Sequence, residues 1–333
     1  MEAKTVLAVD GGGTKLRAVL SDHHGKILAY AEGDSGNYHS IGAAQAAENV
    51  KGLLRRLFVS GAIKRISYSA LALAGVDTPE DYAIMEPLVA ASLAEFQMPP
   101  SSFVLDNDAI LALKGASGKQ HGVLLIAGTG SIACGIHQDG RTVRAGGWGY
   151  RVGDEGSGFA MGTAGLVHIL RAADGREPRS AISNTLLQQL GLVDETHLAA
   201  WIYSDHYSVA KVAALAPSIL DLAYKNEKKA LAIVQSAARE LQLLVQSVVT
   251  RLELERVSFS LLLKGGLMDN SFFQQMVQKA ILEQYPQAKP RAIQEEPLAF
   301  ILAYAFEQAF GCVKADRRQL VRKLDQNIKT FRC

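Results

Sequence analysis

Short apolar runs alternate with turn-forming residues in two stretches of the chain, and longer amphipathic stripes fill the rest. In the first stretch this pattern predicts strands joined by tight turns and then strands that alternate with helices. The predicted strands are Lys4–Val9, Leu16–Ser21, Lys26–Gly33, Ile66–Ala74 and Ser102–Leu105. The helices predicted with them are Ile41–Phe58, a region that ends near Phe96 and is opened or kinked at Pro87, and one that begins at Ala109.

The opening pattern returns after a linker predicted at Lys114–His121. Strands are predicted at Gly122–Ala127, Ile132–His137, Thr142–Ala145 and Val257–Leu263, and helices over most of Phe159–Leu254, at Phe272–Tyr285 and at Glu296–Phe310. This weak internal repeat predicts an α/β protein with two related domains that face each other. We expect them at 1–115 and 116–295, the second enlarged by helices, with a basic, helical and solvated tail at 311–333.

Composition narrows the classes of partner. The chain has 333 residues, 48% of them hydrophobic, so it can bury a core and form two domains. A formal charge of +2 gives no reason to expect nucleic acid. No apolar run reaches the roughly 18 residues of a membrane span, and no signal peptide is visible. Three scattered cysteines (Cys134, Cys312 and Cys333) fit a reducing compartment without a zinc or iron–sulfur site. We therefore expect a cytoplasmic chain and leave a homodimer open.

The chain is organised around a predicted strand that ends in Asp10-Gly11-Gly12-Gly13-Thr14-Lys15. Glycine adopts positive φ at little cost and lets a ligand approach the backbone, so Gly12 and Gly13 suit a phosphate chain. Thr14 adds a hydroxyl and Lys15 a cation, and Asp10 could hold Mg²⁺ through water. The alternative is a tight β-hairpin with an acidic corner.

Two further glycine turns follow predicted strands. Gly128-Thr129-Gly130-Ser131 follows the first strand of the repeat, and Gly265-Gly266 follows the strand at Val257–Leu263. The former could hold a phosphate chain from the side opposite the first glycine turn, and the latter has room for a base or a ribose. Neither GxxxxGK[ST] nor a GxGxxG between a strand and a helix occurs, so the two standard nucleotide motifs are excluded.

Asp108 is the candidate general base. It lies just after a predicted strand, where α/β sheets place functional groups. Phosphorylation of an alcohol requires that the hydroxyl be oriented and its proton accepted as the new bond forms. The alternative is that Asp106 or Asp108 merely caps the helix that follows.

Other polar and aromatic residues are candidates for binding a sugar. Asn37 offers a donor and an acceptor together, and Gly147, Trp148, Asp154 and Glu155 lie in the glycine-dense part of the second half. Trp148 could lie flat against a pyranose, and its alternative is an ordinary core tryptophan. One of the two acids is expected to be only a helix cap or a solvated carboxylate.

Four motifs resemble a known family in their order and spacing. They are Asp10-Gly-Gly-Gly-Thr14, Ala127-Gly-Thr-Gly-Ser131, Gly146-Gly-Trp-Gly149 and Gly153-Asp-Glu-Gly-Ser157. Together they resemble the N-acetylglucosamine kinases of the BadF/BadG/BcrA/BcrD ATPase family, which belongs to the sugar kinase, actin and heat-shock chaperone superfamily. The resemblance extends from Val6 to Ala305, nearly the whole chain.

The resemblance implies two RNase H-like (actin-like ATPase) domains with a central interdomain cleft for ATP and sugar. It implies that the last long helix, Glu296–Phe310, returns to the first domain. It also implies that Asp10 helps to place Mg²⁺, that Asp108 is the base for the sugar 6-hydroxyl and that Thr129 lies at the ATP phosphates. The residues implied to line the sugar are Asn37, Gly75, Gly147, Trp148 and Asp154, and Gly265-Gly266 matches the adenosine motif.

The expected function is therefore an ATP-dependent amino-sugar kinase with a small-molecule sugar as its partner. Glucosamine, N-acetylglucosamine and N-acetylmuramic acid stay open, because Ile132 stands where mammalian-type enzymes have asparagine and Tyr38 and His39 stand near a missing tryptophan. One alternative is an activator-type ATPase of a radical dehydratase or reductase, which the lack of cysteines suited to a bridging cluster disfavours. Another is a non-catalytic sugar sensor or actin-like scaffold, which the acidic set Asp10, Asp108 and Asp154 disfavours.

Overall fold

A computed structural model describes residues 5–58, 66–96, 98, 102–118, 120–311 and 317–332 of the chain. The strands are β1 (Thr5–Gly11), β2 (Lys15–Asp22), β3 (Ile27–Asp34), β4 (Ile66–Leu73), β5 (Phe103–Asp106), β6 (Gly122–Ala127), β7 (Ser131–Ile136), β8 (Thr142–Gly146), β9 (Phe259–Lys264) and β10 (Ala288–Ala292). The helices are α1 (Tyr38–Ile41), α2 (Ala43–Leu57), α3 (Pro79–Ala94), α4 (Asp108–Ser117), α5 (Gly158–Ala173), α6 (Ala181–Leu190), α7 (Glu195–Ile202), α8 (Val209–Ala213), α9 (Ala216–Tyr224), α10 (Lys228–Arg251), α11 (Ser271–Gln284), α12 (Pro297–Phe310) and α13 (Arg317–Arg332).

The chain divides into two compact units. Unit 1 comprises residues 1–119 and 294–333, and unit 2 comprises residues 120–293. The domain boundaries predicted from the sequence and the cleft predicted between the domains stay predictions. Cys312 and Cys333, which entered the cysteine argument, and Lys4, predicted to open the first strand, lie outside the described residues.

Unit 1 contains a five-stranded mixed sheet in the order β3-β2-β1-β4-β5. The first three strands are antiparallel neighbours, whereas β1, β4 and β5 run parallel. Every residue of β1 is buried because this apolar strand is the centre of the sheet. The register aligns Asp10, Ala72 and Asp106 across the three parallel strands. The carboxyl ends of these strands therefore present their polar residues at one edge.

Helices cover this sheet in unit 1. Helices α2 and α3 contribute to a buried cluster with β1, β2 and β4, while α12 packs against α4, β1 and β4. The terminal helix α13 buries Val321, Leu324 and Ile328 and packs against β3 and α12. The helix predicted in the basic tail is confirmed, but its apolar face is packed, not solvated.

Unit 2 repeats this topology. Its sheet has the order β10-β9-β6-β7-β8, with β6–β8 antiparallel and β6, β9 and β10 parallel, which is the arrangement of unit 1. Helices α5–α10 form the long helical stretch predicted after Phe159, and much of the apolar side of α10 is buried in the core. The predicted repeat is confirmed. Among the helices of the described ranges, none combines the length and apolar character needed to cross a membrane.

The start of the predicted linker differs from the structure. Helix α4 continues to Ser117, so the linker predicted from Lys114 is wrong for its first half. Gly115, one of the residues of the predicted linker, lies inside the helix at a close approach to α12, where an added Cβ would stand 1.9 Å from the Phe300 carbonyl oxygen. The glycine therefore serves helix packing, which single-sequence turn signals do not reveal.

Candidate active site

Asp10 is the next-to-last residue of β1, is buried and faces an arginine on the neighbouring strand. The carboxyl residue is 6% exposed, and the hairpin register pairs it with Arg17. The Arg17 guanidinium donates a hydrogen bond to the Asp10 carboxylate and another, of 2.8 Å, to Glu296, which precedes α12. Arg17 therefore joins two acidic groups of unit 1 and fixes the direction of Asp10.

The turn after Asp10 is open on its outer side. The Gly12 N–H donates to the Lys15 carbonyl at 3.0 Å, which closes a tight β-hairpin. Gly13, Thr14 and Lys15 are exposed, and a Cβ added at Gly13 would meet nothing within 4 Å. The hairpin alternative thus describes the backbone correctly, and the same backbone leaves room for a ligand beside the glycines.

Three adjacent polar residues, Asp106-Asn107-Asp108, connect β5 to α4. The capping residue is Asn107, whose Oδ1 accepts hydrogen bonds from the N–H groups of Ala109 at 2.9 Å and Ile110 at 3.2 Å. The alternative that one of the two acids provides the cap is therefore wrong. Asp108 is left on the first turn of the helix, where its own Oδ1 accepts a hydrogen bond from Ala109 N–H at 2.9 Å.

Asp106 has a different environment. It is 6% exposed and accepts hydrogen bonds from the Tyr82 hydroxyl at 2.6 Å and from Lys114 Nζ at 2.5 Å. A buried carboxylate with these two donors is satisfied within the protein. Its contacts are those of a structural residue.

Asp108 has the electrostatics of a proton acceptor. Burial raises the pKa of its carboxyl to about 6, and the negative charges of Asp10 and Asp77 act in the same direction. The hydrogen bond from Ala109 N–H opposes this shift by stabilising the ionised form. A carboxyl with this pKa is mostly ionised at neutral pH, yet it is a stronger base than an exposed aspartate.

Asn37 and Gly75 lie against each other in unit 1. Gly75 has φ of +89°, and a Cβ there would stand 2.8 Å from Asn37 Oδ1, so the position requires glycine. Asn37 precedes α1 and accepts a hydrogen bond from the His39 N–H at 3.1 Å. Tyr38 and His39 both contact Asp81, with His39 Nε2 at 3.4 Å, which ties this loop to the start of α3.

In unit 2 the second and third glycine turns are neighbours. A Cβ added at Gly265, where φ is +105°, would stand 2.3 Å from the Ala127 carbonyl oxygen, and one added at Gly128 would be 3.8 Å from Gly266 N. The residue between the glycines of the second turn, Thr129, is exposed. These two turns therefore form one surface of bare backbone, as a nucleotide site requires.

Ser131 connects the second glycine turn to both loops predicted to bind sugar. Its N–H donates to Asp154 Oδ1 at 3.2 Å, its hydroxyl donates to the Glu155 carbonyl at 2.6 Å, and its carbonyl accepts from Gly147 N–H at 3.0 Å. Asp154 has φ of +64°, a left-handed conformation that is uncommon outside glycine. Burial raises the pKa of its carboxyl. Strained residues of this kind cluster at functional sites.

Trp148 is a surface residue. It is 63% exposed, so the alternative of a core tryptophan is wrong. The Arg144 guanidinium lies over one face of its ring, 4.2 Å from the centroid, and donates to the Gly146 carbonyl at 3.1 Å. This cation–π contact holds the indole in a defined orientation beside Gly147.

Comparison with known proteins identifies the family. The model of the BadF/BadG/BcrA/BcrD ATPase family matches residues 7–297. The chain belongs to this family. The resemblance found in the sequence motifs is therefore confirmed over most of the chain.

Curated relatives of this BadF/BadG/BcrA/BcrD ATPase family chain are kinases of amino sugars. An N-acetyl-D-glucosamine kinase of Dictyostelium discoideum is 33% identical over 302 residues, covering 87% of this chain and 93% of its own length. An N-acetylmuramic acid/N-acetylglucosamine kinase of Clostridium acetobutylicum is 29% identical over 317 residues, covering 93% and 97%.

A solved structure agrees with the fold. It belongs to a protein of Chromobacterium violaceum assigned provisionally as an N-acetylglucosamine kinase, with 27% identity and a TM-score of 0.65 over 91% of this chain and 99% of the other. This similarity and the repeated strand order confirm the predicted α/β class with two RNase H-like sheets.

The residues of this chain fit a magnesium ion bound through water better than a metal ion coordinated mainly by protein side chains. Within the part of the chain that the structure describes, no three acidic, histidine or cysteine side chains converge to hold a metal. Mg²⁺ bound with a nucleotide commonly uses one or two protein carboxylates and completes its shell with water and phosphate oxygens. The buried carboxylate of Asp10, beside an open glycine turn, meets that requirement.

The predicted site residues of the family chain fall into two sets, one in each unit. Unit 1 holds Asp10, Gly12–Lys15, Asn37, Gly75 and Asp108, and unit 2 holds Gly128–Gly130, Gly147, Trp148, Asp154 and Gly265-Gly266. Sequence reasoning missed Arg17, Asp77 and Asn107. Hairpin register could have suggested Arg17 opposite Asp10, whereas the contact between Asp77 and Asn107 joins residues 30 positions apart.

Proposed function

We propose that this chain is an ATP-dependent amino-sugar kinase that phosphorylates the 6-hydroxyl of N-acetylglucosamine or a close relative, glucosamine or N-acetylmuramic acid. The names of the curated relatives support this substrate class. The observation that carries the proposal is Asp108, a half-buried carboxyl with a pKa of about 6 in the unit that also contains Asp10.

In the proposed reaction, Asp108 accepts the proton of the sugar 6-hydroxyl as that oxygen forms its bond to the γ-phosphorus of ATP. The bond from this phosphorus to the bridging oxygen breaks at the same time, and ADP leaves with the electron pair. A positioned base of this kind contributes about 10²–10⁴ in rate. Its ionised form is the active one, so the kinase should lose activity as pH falls below about 6.

The sugar contacts that we propose are Asn37, Gly75, Gly147, Trp148 and Asp154. Amide and carboxylate groups recognise hydroxyls by paired hydrogen bonds, and an oriented indole can cover an apolar sugar face. Held in this way, the 6-hydroxyl would meet Asp108 without the entropy cost of a free encounter.

The nucleotide contacts that we propose are the open backbone turns. For the phosphates these are Gly12, Gly13, Thr14, Lys15, Gly128, Thr129 and Gly130, and for the adenosine Gly265 and Gly266. Mg²⁺ would be held by Asp10 through water, where it offsets the negative charge of the phosphates. Arg17 fixes the direction of that carboxylate through their hydrogen bond.

The test measures ADP release with glucosamine, N-acetylglucosamine, N-acetylmuramic acid, glucose and N-acetylmannosamine, and identifies the product by ³¹P and ¹³C NMR. We expect one of the first three sugars to be phosphorylated at C6. Asp108→Asn should still bind that sugar in calorimetry while turnover falls about 10²–10⁴-fold. Phosphorylation at the anomeric carbon, no turnover with any amino sugar, or normal turnover in Asp108→Asn would contradict the proposal.

A further inference from the structure

Asp77 and Asn107 form a contact between two strand-end loops of unit 1. Asn107 Nδ2 donates a hydrogen bond of 2.7 Å to Asp77 Oδ1. Asn107 is 5% exposed, so its side-chain amide is held inside the protein, whereas Asp77 is half-buried. The Asp77 backbone is fixed as well, because its N–H donates to the Asp81 carboxylate at 2.8 Å.

The other end of the Asn107 amide reaches the environment of Asp108. Asn107 Oδ1 and Asp108 Oδ1 both accept from Ala109 N–H, each at 2.9 Å. One backbone donor is therefore shared by the cap and by the candidate base. Asp77, Asn107, Ala109 N–H and Asp108 form a continuous hydrogen-bonded series in which each end carries a carboxylate.

The charged groups around Asp108 come from several elements of unit 1. Asp10 at the end of β1 and Asp77 after β4 both act on it with negative charge. Asp10 is paired with Arg17 of β2. On β5, Asp106 is paired with Lys114 of α4 and receives the Tyr82 hydroxyl of α3. Asp77 accepts the hydrogen bond of the Asn107 side-chain amide.

We propose that Asp77 is a positioning residue for Asp108: through Asn107 it fixes the loop that carries the base, and its carboxylate acts electrostatically on that base. The inference rests on the proposed function for its role in catalysis. The electrostatic part concerns the folded protein alone and can be measured without turnover.

The substitution Asp77→Asn tests the effect of the Asp77 charge separately from the effect of its hydrogen bond. The substituted amide still offers an oxygen to Asn107 Nδ2, so the loop and the cap should be kept while the negative charge is lost. Asp77→Ala removes the acceptor as well and leaves a buried N–H group without its partner. Glu80→Gln is the matched control, because Glu80 is an exposed acid on the first turn of α3 and the change removes one charge from the same unit.

The first measurement is the titration of Asp108 in the full chain, followed by NMR with [¹³Cγ]aspartate. The Asp108 resonance is identified by its absence in Asp108→Asn. We expect it to titrate near pH 6 in the parent chain, lower by about 0.5–1 unit in Asp77→Asn, and unchanged in Glu80→Gln. An Asp108 titration that Asp77→Asn leaves in place would overturn the inference, even if the chain is an active kinase.

The second measurement is the pH profile of kcat/KM for the sugar. We expect the acid limb of Asp77→Asn to move down by the same amount as the NMR titration, and Asp77→Ala to lose kcat at least tenfold with a smaller change in KM. Equal profiles in all variants would refute the catalytic role. If no sugar is phosphorylated but the NMR titration still moves, the proposed function fails while the coupling between Asp77 and Asp108 stands.

Discussion

Burial and the neighbouring negative charges raise the pKa of the Asp108 carboxyl. An aspartate on a free surface is almost fully ionised at pH 6, whereas burial and the charges of Asp10 and Asp77 hold the pKa of Asp108 at about 6. The native state therefore binds more protons at this position than the unfolded chain between about pH 4 and pH 6. The contribution of Asp108 to stability must fall as pH rises through that window, so the carboxylate is retained at a cost in folding free energy.

Asp108→Asn should consequently stabilise the fold at neutral pH. We expect a gain of about 1–3 kcal/mol at pH 7, because the buried charge is removed while an oxygen can still accept from Ala109 N–H. The gain should shrink as pH falls and vanish below about pH 4, where the aspartate is protonated in both states. Urea unfolding of both chains at pH 4, 5.5 and 7 measures it, and a variant that is less stable than wild type at pH 7 would contradict the argument.

At the scale of residues, the sequence predicted where the acidic side chains lie along the chain better than it predicted their hydrogen-bond partners. The acids at the ends of β1 and β5 were expected from the strand pattern alone. The cap of α4 was not, since Asp106, Asn107 and Asp108 are all good capping residues. The choice depends on tertiary contacts, because Tyr82 and Lys114 hold Asp106 while Asp77 holds Asn107. The exposure of Trp148 likewise depends on its loop and not on its hydrophobicity.

At the scale of elements, the contact between α4 and α12 shows how a glycine can report on packing. Gly115 lies in the interior of α4, where glycine is ordinarily unfavourable. It is accepted because α12 approaches so closely that no side-chain atom fits above the Phe300 carbonyl. The strands and helices were predicted well because hydrophobic periodicity is a local property of the sequence. Gly115 was assigned to a linker because the contact that requires a glycine there is made by α12, a distant segment of the chain.

Two alanine substitutions should therefore have opposite effects. Gly115→Ala is expected to lower the free energy of unfolding by about 1–3 kcal/mol, because its Cβ would stand 1.9 Å from the Phe300 oxygen and α4 or α12 must shift. Gly52→Ala, inside α2 with nothing within 4 Å of the added Cβ, should raise it by about 0.5–1 kcal/mol. Equilibrium denaturation of both variants decides this, and effects of the same sign would be inconsistent with the packing described.

For the whole molecule, unit 1 is built from two separated segments of the chain. Residues 294–333 return to it after the whole of unit 2, and they bring α12, which contributes Leu298, Phe300, Ile301 and Leu302 as fully or almost fully buried side chains. A sheet that lacks this helix would expose an apolar face along β1 and β4. The packing of the last long helix against the first domain was predicted only from the family resemblance. Helix periodicity shows that a helix has an apolar face, but it does not show which element covers that face.

A fragment of residues 1–119 should therefore not fold cooperatively. We expect it to lack near-ultraviolet circular dichroism and a cooperative thermal transition, and to recover both when residues 294–333 are co-expressed with it, because α12 then covers α4, β1 and β4. The full chain serves as the reference for both signals. A cooperative transition in the isolated fragment would mean that α12 is dispensable for unit 1.

The two tryptophans of the chain differ in solvent exposure, so their intrinsic fluorescence should be distinguishable. Trp201 is 8% exposed and should emit at short wavelength and resist quenching by iodide, whereas Trp148, 63% exposed, should emit to the red and be quenched. Fluorescence from the Gly146–Gly149 loop is thus separable from the interior signal without a label. A molecule that covers this loop should reduce iodide quenching of the red-shifted Trp148 emission and leave the Trp201 emission unchanged.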